Sequence, residues 1–267
     1  RHLQFTERKR EREREREREN RTNSNHMYQA HPRQSPHFPK FGDVSQWMDW
    51  SPVSAHVSQH LRKVFSSLLA LCVCSCLGVS LHLRTHLGGL LTMFGAIGLV
   101  IGVQVTRAEG TSNKRLAMFL GFGLLEGMSL GPLIDAVLAM EDGATTVLTA
   151  FVGASIVFAC LAAAAALSPR RSMLWLAGFL SLGLSMLALM GLANLFIRSP
   201  ALTNMYLYGG LALFCVFVLF DTQMIIERFN AGDNDFLSHS ISLFLDLIQI
   251  FVRLLIILAK KKKEEKK

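Results

Sequence analysis

The sequence predicts an all-α polytopic membrane protein, a bundle of seven helices. Seven apolar runs each come near the roughly 20 residues that a bilayer-spanning helix needs. Only short loops connect them, which leaves no room for a soluble catalytic domain. The basic residues behind the net charge of +8 lie in the tails and in loops that flank the runs. This charge pattern indicates membrane topology, so we expect membrane lipid around the protein and no nucleic acid as a partner.

The segment before the first run is polar. Its stretch EREREREREN, residues 11–20, alternates Arg and Glu without an apolar position, so it cannot bury enough surface to offset the entropy of ordering. We expect residues 1–60 to be a disordered basic and polar segment, with residues 1–26 a leader or a fragment artefact and Met27 the natural start. The first apolar run begins too late for a cleavable signal peptide and is long enough to anchor itself.

The apolar runs build a predicted transmembrane domain over residues 61–259, which a lysine-rich tail follows at residues 260–267. The runs cover residues 64–83, 87–105, 115–140, 147–167, 173–197, 205–226 and 237–259. A cytosolic amino end satisfies the positive-inside rule through the sixth run, but seven full crossings then place the tail outside. The seventh run therefore either spans against the rule or re-enters and leaves the tail cytosolic.

Glycines at four-residue spacing mark the second and third runs. They are Gly98, Gly102, Gly123, Gly127 and Gly131. Small residues in this pattern let another helix approach closely, so both helices are predicted to carry a packing groove. A hinge or an ion path is the alternative. Glu126 lies beside one of these glycines and is either structurally paired or part of a conducting path.

Two aspartates interrupt the last two apolar runs. Asp221 lies in the sixth and Asp246 in the seventh. A charge near the bilayer centre costs roughly 2.5 to 3.5 kcal/mol even on lenient insertion scales, so such residues face a bundle interior or a water-filled cavity. Both aspartates are therefore candidates for function.

The seventh run carries a polar seam. His239, Ser242, Asp246, Gln249 and Arg253 follow one another at intervals of three, four, three and four residues. This spacing places them on one face of a helix. A helix lying on the membrane surface would carry a lysine-rich polar face instead, so the seam is predicted to face the interior.

Adjacent helices bring Asp221 to the level of Asp246. Two carboxylates in a poorly solvated place would share a proton and titrate as a pair, which makes a pH sensor. With the oxygens of Ser242 and Gln249 they also form the hard ligand set that calcium accepts. The alternative is an ordinary interhelical hydrogen bond, or an ion pair with Arg253 that only fixes packing.

Ordered motifs then identify a family. The segment FDTQMIIERFNAGDNDFLSHSISLFLDLIQIFVRLLIILAKKKKEEKK resembles the carboxyl-terminal signature of the Bax inhibitor-1 family, the transmembrane Bax-inhibitor-motif proteins. The segments SQHLRKVFSSLL, EGMSLGPLI and LTAFVGASIVF are similar to its first, third and fourth helices. The resemblance covers about residues 50–267.

The resemblance implies a seven-helix bundle with a central last helix in the endoplasmic reticulum membrane. It also implies a pH-sensitive calcium leak that negatively regulates apoptosis and stress in the endoplasmic reticulum. Calcium would be the transported ion, with no cofactor. Calcium, protons and anti-apoptotic Bcl proteins would be partners, and the lysine-rich tail would share in partner binding and pH sensing.

The family's functional residues carry over onto particular positions. Its paired aspartates correspond to Asp221 and Asp246, and a histidine linked to pH response corresponds to His239. Some members carry another acid where this chain has Ser242. The arginine that pairs with the aspartates in bacterial relatives has Arg107 and Arg115 as its nearest candidates here, and Glu126 is a further candidate for pairing.

Two other function classes compete with a calcium leak. An intramembrane aspartyl protease would also need two membrane aspartates. The glycine-rich surroundings expected of protease aspartates are missing, because Asp221 is followed by Thr222 and Gln223 and Asp246 is flanked by leucines. We therefore expect no enzyme. A non-conducting scaffold that binds apoptosis regulators is the remaining alternative.

Overall fold

The computed structural model describes residues 55–168 and 176–265, and these residues form seven helices. The chain divides into two units, residues 1–43 and 44–267, and every described residue belongs to the second. The helices are α1 (Ala55–Thr85), α2 (Leu90–Val105), α3 (Asn113–Leu138), α4 (Gly143–Leu167), α5 (Leu176–Ile197), α6 (Pro200–Asn230) and α7 (Phe236–Glu265). The prediction of seven helices is confirmed. The segment predicted to be disordered lies outside the described residues up to residue 54, and α1 begins within its last part.

Six of these helices are long and apolar enough to cross a membrane, and α2 is shorter, with 16 residues. The second run was predicted to have spanning length. Gly89, with a φ of 139°, precedes α2, so the helix begins three residues after the apolar run does. The two end together, and a 3-10 turn over Thr106–Glu109 follows. Local signals also fix other helix starts. The Ser112 hydroxyl caps α3 by accepting a hydrogen bond from the Arg115 backbone, and Pro200 opens α6.

The last helix is central. It packs against α1, α4 and α6 and also touches α2, whereas α5 packs mainly on α6. More than half of its most apolar stretch is buried, a larger share than in any other candidate span. Helix α7 runs without a break, and Lys262 near its end lies 3.1 Å from Asp142, which precedes α4. The re-entrant alternative is therefore not what the structure shows, because the lysines lie at the opposite end of the bundle from the start of α7.

Helices α1 and α3 approach each other through glycines. A Cβ atom on Gly127 would lie 2.0 Å from the Ser75 carbonyl oxygen, and one on Gly78 would lie 2.1 Å from the Leu124 carbonyl oxygen. The predicted groove of the third run is thus confirmed. The same prediction for the second run is wrong at Gly98, because a Cβ atom there would meet nothing within 4 Å. Four-residue spacing defines a stripe of small residues, but whether a helix covers it depends on the tertiary arrangement.

Candidate functional site

The polar seam of α7 faces the bundle. His239, Asp246 and Arg253 are each 5% exposed or less, and Ser242 and Gln249 are half-buried. Apolar residues of the same helix, such as Phe244 and Leu243, are buried on its other sides because α7 has neighbours all around. The helix is therefore a central element that carries polar groups into the interior.

Asp221 on α6 and Asp246 on α7 lie close enough for their charges to interact. One carboxylate oxygen of Asp246, Oδ2, is buried without a hydrogen-bond partner, and so is the hydroxyl of the neighbouring Thr222. Within residues 55–168 and 176–265, no basic side chain forms an ion pair with either aspartate, although the charge of Arg228 acts on Asp221 from farther along α6. The two acids thus meet in a buried place with unused hydrogen-bonding capacity.

Arg253 does not pair with these aspartates. Its guanidinium hydrogen-bonds the Gln249 side chain and lies 4.5 Å from the centre of the Phe214 ring. Gly210 makes room for it, because a Cβ atom there would lie 2.3 Å from Arg253 Nε. The alternative in which Arg253 neutralises an aspartate is therefore corrected by the structure: aromatic rings and the seam's own glutamine hold this cation.

The other candidate partners also lie elsewhere. Arg107 forms ion pairs with Asp233 and Asp235, in the loop before α7. Arg115, which is 2% exposed, forms an ion pair with Asp235 at 2.5 Å and donates a hydrogen bond to the Val103 carbonyl at 3.0 Å. Both arginines thus bind the loop that leads into α7 rather than the aspartates within the last two helices.

Glu126, the third candidate, is half-buried on α3. It has no hydrogen-bond or ion-pair partner in the described part of the chain. Its charge is not among those that act on Asp221 or Asp246. It is therefore an isolated intramembrane acid.

The loop carboxylates are stabilised in their charged form. Burial alone would raise the pKa of Asp233, but hydrogen bonds from Arg107 and from the Asp235 backbone outweigh it and lower the pKa to about 2. Burial also opposes ionisation of Asp235, yet hydrogen bonds from Arg115 and Ser238 lower its pKa. The Arg107 pKa is raised, mainly by the hydrogen bond to Asp233. These ion pairs are charged at neutral pH.

Two histidines extend this network into the bundle. His60 Nε2 on α1 lies 3.0 Å from His239 Nδ1, and the His60 ring stacks on Phe229 with centroids 4.4 Å apart. The other nitrogen of His239 lies 3.5 Å from the Asp233 carboxylate. We call the following residues the polar cluster: His60, Arg107, Arg115, Asp233, Asp235, Ser238 and His239. It joins α1, α3 and α7 with the turn after α2 and the loop before α7.

Comparison with known proteins assigns the family. The family described as "Inhibitor of apoptosis-promoting Bax1" matches residues 57–263. The chain belongs to this family. It is 41% identical over 224 residues to Probable Bax inhibitor 1 of Paralichthys olivaceus, covering 82% of this chain and 94% of that protein. It is 39% identical over 223 residues to Bax inhibitor 1 of Homo sapiens, covering 82% and 93%. The Arabidopsis thaliana Bax inhibitor 1 is 41% identical over 209 residues, covering 78% and 83%.

Membership confirms the resemblance drawn from the sequence motifs. Together with the apolar helices it makes the chain a multi-pass membrane protein of the Bax-inhibitor family, whose outer residues contact lipid. The relatives are named as Bax inhibitors and not as enzymes.

Reasoning from the sequence missed part of the polar cluster, namely His60, Asp233, Asp235 and Ser238. A signal was available for the two acids. With a cytosolic amino end, the loop that contains Asp233 and Asp235 lies on the same side as the basic loop of Arg107 and Arg115, and opposite charges on one side attract. For His60, near the start of a long helix, no pattern in the sequence indicated a partner 179 residues away.

Proposed function

We propose that this Bax-inhibitor family protein is a pH-sensitive calcium leak of the endoplasmic reticulum membrane that limits apoptosis and stress in that compartment. The observation that carries the proposal is the acid pair of Asp221 and Asp246. Their charges interact in the bundle interior, and a buried oxygen of Asp246 has no hydrogen-bond partner. Buried ionisable groups of this kind in membrane proteins belong to ion pathways and proton relays.

The pair would work as a proton-controlled contact between α6 and α7. Two neighbouring carboxylates in a place of low polarity cannot both be charged at low cost, so they share a proton and hold the helices together. Loss of that proton introduces repulsion, which a calcium ion relieves because carboxylates are the oxygen ligands it prefers. Ser242 and Gln249 on the same seam would supply further oxygens, and His239 in the polar cluster would add a second response to pH.

The description of the family, "Inhibitor of apoptosis-promoting Bax1", supports the apoptosis part of the proposal. We extend it to anti-apoptotic Bcl proteins as partners, with calcium as the transported ion, protons as the sensed ion and no cofactor. A scaffold that conducts nothing would not need two interacting acids inside its bundle, so their placement favours the leak.

Purified protein in liposomes that contain a calcium indicator tests the proposal. We expect a calcium flux that varies with pH, and we expect Asp221→Asn and Asp246→Asn each to abolish that variation while the protein stays folded. Glu126→Gln is the matched control, because it neutralises an isolated intramembrane acid and should leave the pH response unchanged.

Three outcomes would count against the leak. Both asparagine variants could leak as the parent does at every pH, which removes the sensor. Binding of a Bcl protein could change in these variants while flux stays untouched, which supports the scaffold. A peptide cleavage product that either variant abolishes would support the aspartyl protease.

A further inference from the structure

Three potential metal ligands meet at the end of the bundle opposite the polar cluster. His82 near the end of α1, His86 just after it and Asp135 near the end of α3 each place a ligand atom within 4.8 Å of the other two. We propose that these side chains form a binding site for a divalent transition-metal ion of the zinc class. Two imidazoles and a carboxylate are a recurring protein ligand set for zinc, with further positions left to water. The proposal does not depend on the calcium leak, whose acids lie on other helices.

His82 is held in place by packing against glycines. The side chain is 4% exposed, and a Cβ atom on Gly131 would lie 2.2 Å from its ring. A Cβ atom on Gly88 would lie 2.2 Å from Nδ1 of the same ring. Only glycine at these two positions leaves space for the imidazole, so the chain fixes one ligand before any ion arrives.

One nitrogen of this buried ring is open. The Gly88 N–H donates a hydrogen bond of 2.8 Å to His82 Nδ1. Nε2 has no hydrogen-bond partner among the residues that the structure describes. This nitrogen is not one of the buried polar atoms that lack a partner in the described part of the chain, so it is open to solvent and an ion can reach it.

The other two ligands are accessible. His86 Nδ1 lies 3.9 Å from Asp135 Oδ2, and these side chains are 69% and 48% exposed. His86 has a φ of 54°, which residues other than glycine adopt infrequently, and its ring meets that of His82 edge-on with centroids 5.8 Å apart. Unusual backbone conformations of this kind concentrate at binding sites. The site therefore combines one fixed buried ligand with two that a hydrated ion can reach.

Metal binding must change the contact with Gly88. A neutral imidazole has one donor and one acceptor nitrogen, so a ring that accepts from Gly88 at Nδ1 carries its proton on Nε2. A metal ion at Nδ1 takes the place of the Gly88 N–H. A metal ion at Nε2 needs that nitrogen deprotonated, the remaining proton sits on Nδ1, and the ring can no longer accept from Gly88. In both cases the Gly88 hydrogen bond is lost while the ends of α1 and α3 become joined.

Cobalt and zinc titrations of the full chain in detergent test the site. We expect one equivalent of Co²⁺ to give visible d–d absorption and Zn²⁺ to displace it, while Ca²⁺ at the same concentration does not. His86→Gln and Asp135→Asn should each weaken Co²⁺ affinity at least ~10-fold. The matched control is His56→Gln, an exposed histidine at the other end of α1, which should bind as the parent does.

Hydrogen exchange of the Gly88 amide is a second measurement, because it reports whether metal binding breaks the hydrogen bond from Gly88 to His82, which the Co²⁺ affinity does not show. Zn²⁺ at the lowest concentration that occupies the site in the parent should speed exchange of the Gly88 amide in the parent and in His56→Gln, and should speed it much less in Asp135→Asn. Co²⁺ binding that both His86→Gln and Asp135→Asn leave intact would overturn the proposal, and so would an equal loss of Co²⁺ affinity in His56→Gln. Displacement of Co²⁺ by Ca²⁺, or a Gly88 amide whose exchange rate does not change with Zn²⁺, would also overturn it.

Discussion

Replacing Gly127 by alanine should force α1 and α3 apart. The added Cβ atom would lie 2.0 Å from the Ser75 carbonyl oxygen and 2.7 Å from the Ser75 Cα atom, whereas ordinary contacts begin at 3.4 Å. The obstacle is backbone, so a helix must move by about 1 Å or more. Overpacking costs about 1–3 kcal/mol, and an obstacle made of backbone places this case in the upper half of that range, about 2–3 kcal/mol, of which the helix propensity of alanine returns about 1 kcal/mol. We expect a net loss of about 1–2 kcal/mol in the free energy of unfolding.

Thermal unfolding of the detergent-purified protein measures this loss. For a chain of this size, 1 kcal/mol corresponds to roughly 2–4 °C, so Tm should fall by roughly 2–8 °C. Gly98→Ala is the matched control, because its Cβ atom meets nothing within 4 Å and only the propensity gain remains. It should leave Tm unchanged or raise it. A Gly127→Ala protein at least as stable as the parent would refute the close contact between these helices.

Two further predictions concern the polar cluster. Arg115→Gln removes the 2.5 Å partner of the Asp235 carboxylate, which keeps Arg107 at 3.2 Å and the Ser238 hydroxyl, and it should lower the free energy of unfolding by about 2 kcal/mol. The neighbouring exposed Lys114→Gln should change it by less than about 0.5 kcal/mol. Equal Tm values for these two variants would contradict the ion pair. The lowered pKa of Asp233 stabilises the fold fully above the ordinary value of 3.8, and this contribution is lost as pH falls toward about 2. Its size is at most about 2.5 kcal/mol and less after solvent screening, since Arg107 is 44% exposed. Asp233→Asn should therefore flatten the fall of Tm between pH 4 and 2, and an unchanged acid profile would rule out this linkage.

Much of the fold was predictable because it follows from the apolar runs and from the spacing of residues along a single helix. Apolar runs of spanning length define the helices, and the three-four spacing from His239 to Arg253 defines the polar face of α7 without reference to any other helix. The family resemblance rested on short ordered motifs, and it is confirmed over residues 57–263. The acid pair followed from the cost of placing a charge in lipid, and its role in ion flux stays a prediction.

The spacing of residues along one helix could not predict which side chains of other helices or loops they contact. Arg107 and Arg115 were considered for Asp221 and Asp246, but they bind the loop of Asp233 and Asp235, since the depth of a side chain in the bundle depends on how helices are offset. Gly98 and Gly127 show the same limit. Both belong to stripes of equal spacing, yet only one stripe meets a neighbouring backbone.

The last helix is anchored at both of its extremities. Asp233 and Asp235 tie its beginning to arginines near α2 and α3, and Lys262 ties its far end to Asp142 before α4. Sliding along its own axis would break an ion pair at one extremity or the other. Bending or twisting of the middle of α7, where Asp246 lies, would leave the ion pairs at both ends intact. A change of charge at that carboxylate should therefore bend or twist the helix rather than shift it along its axis.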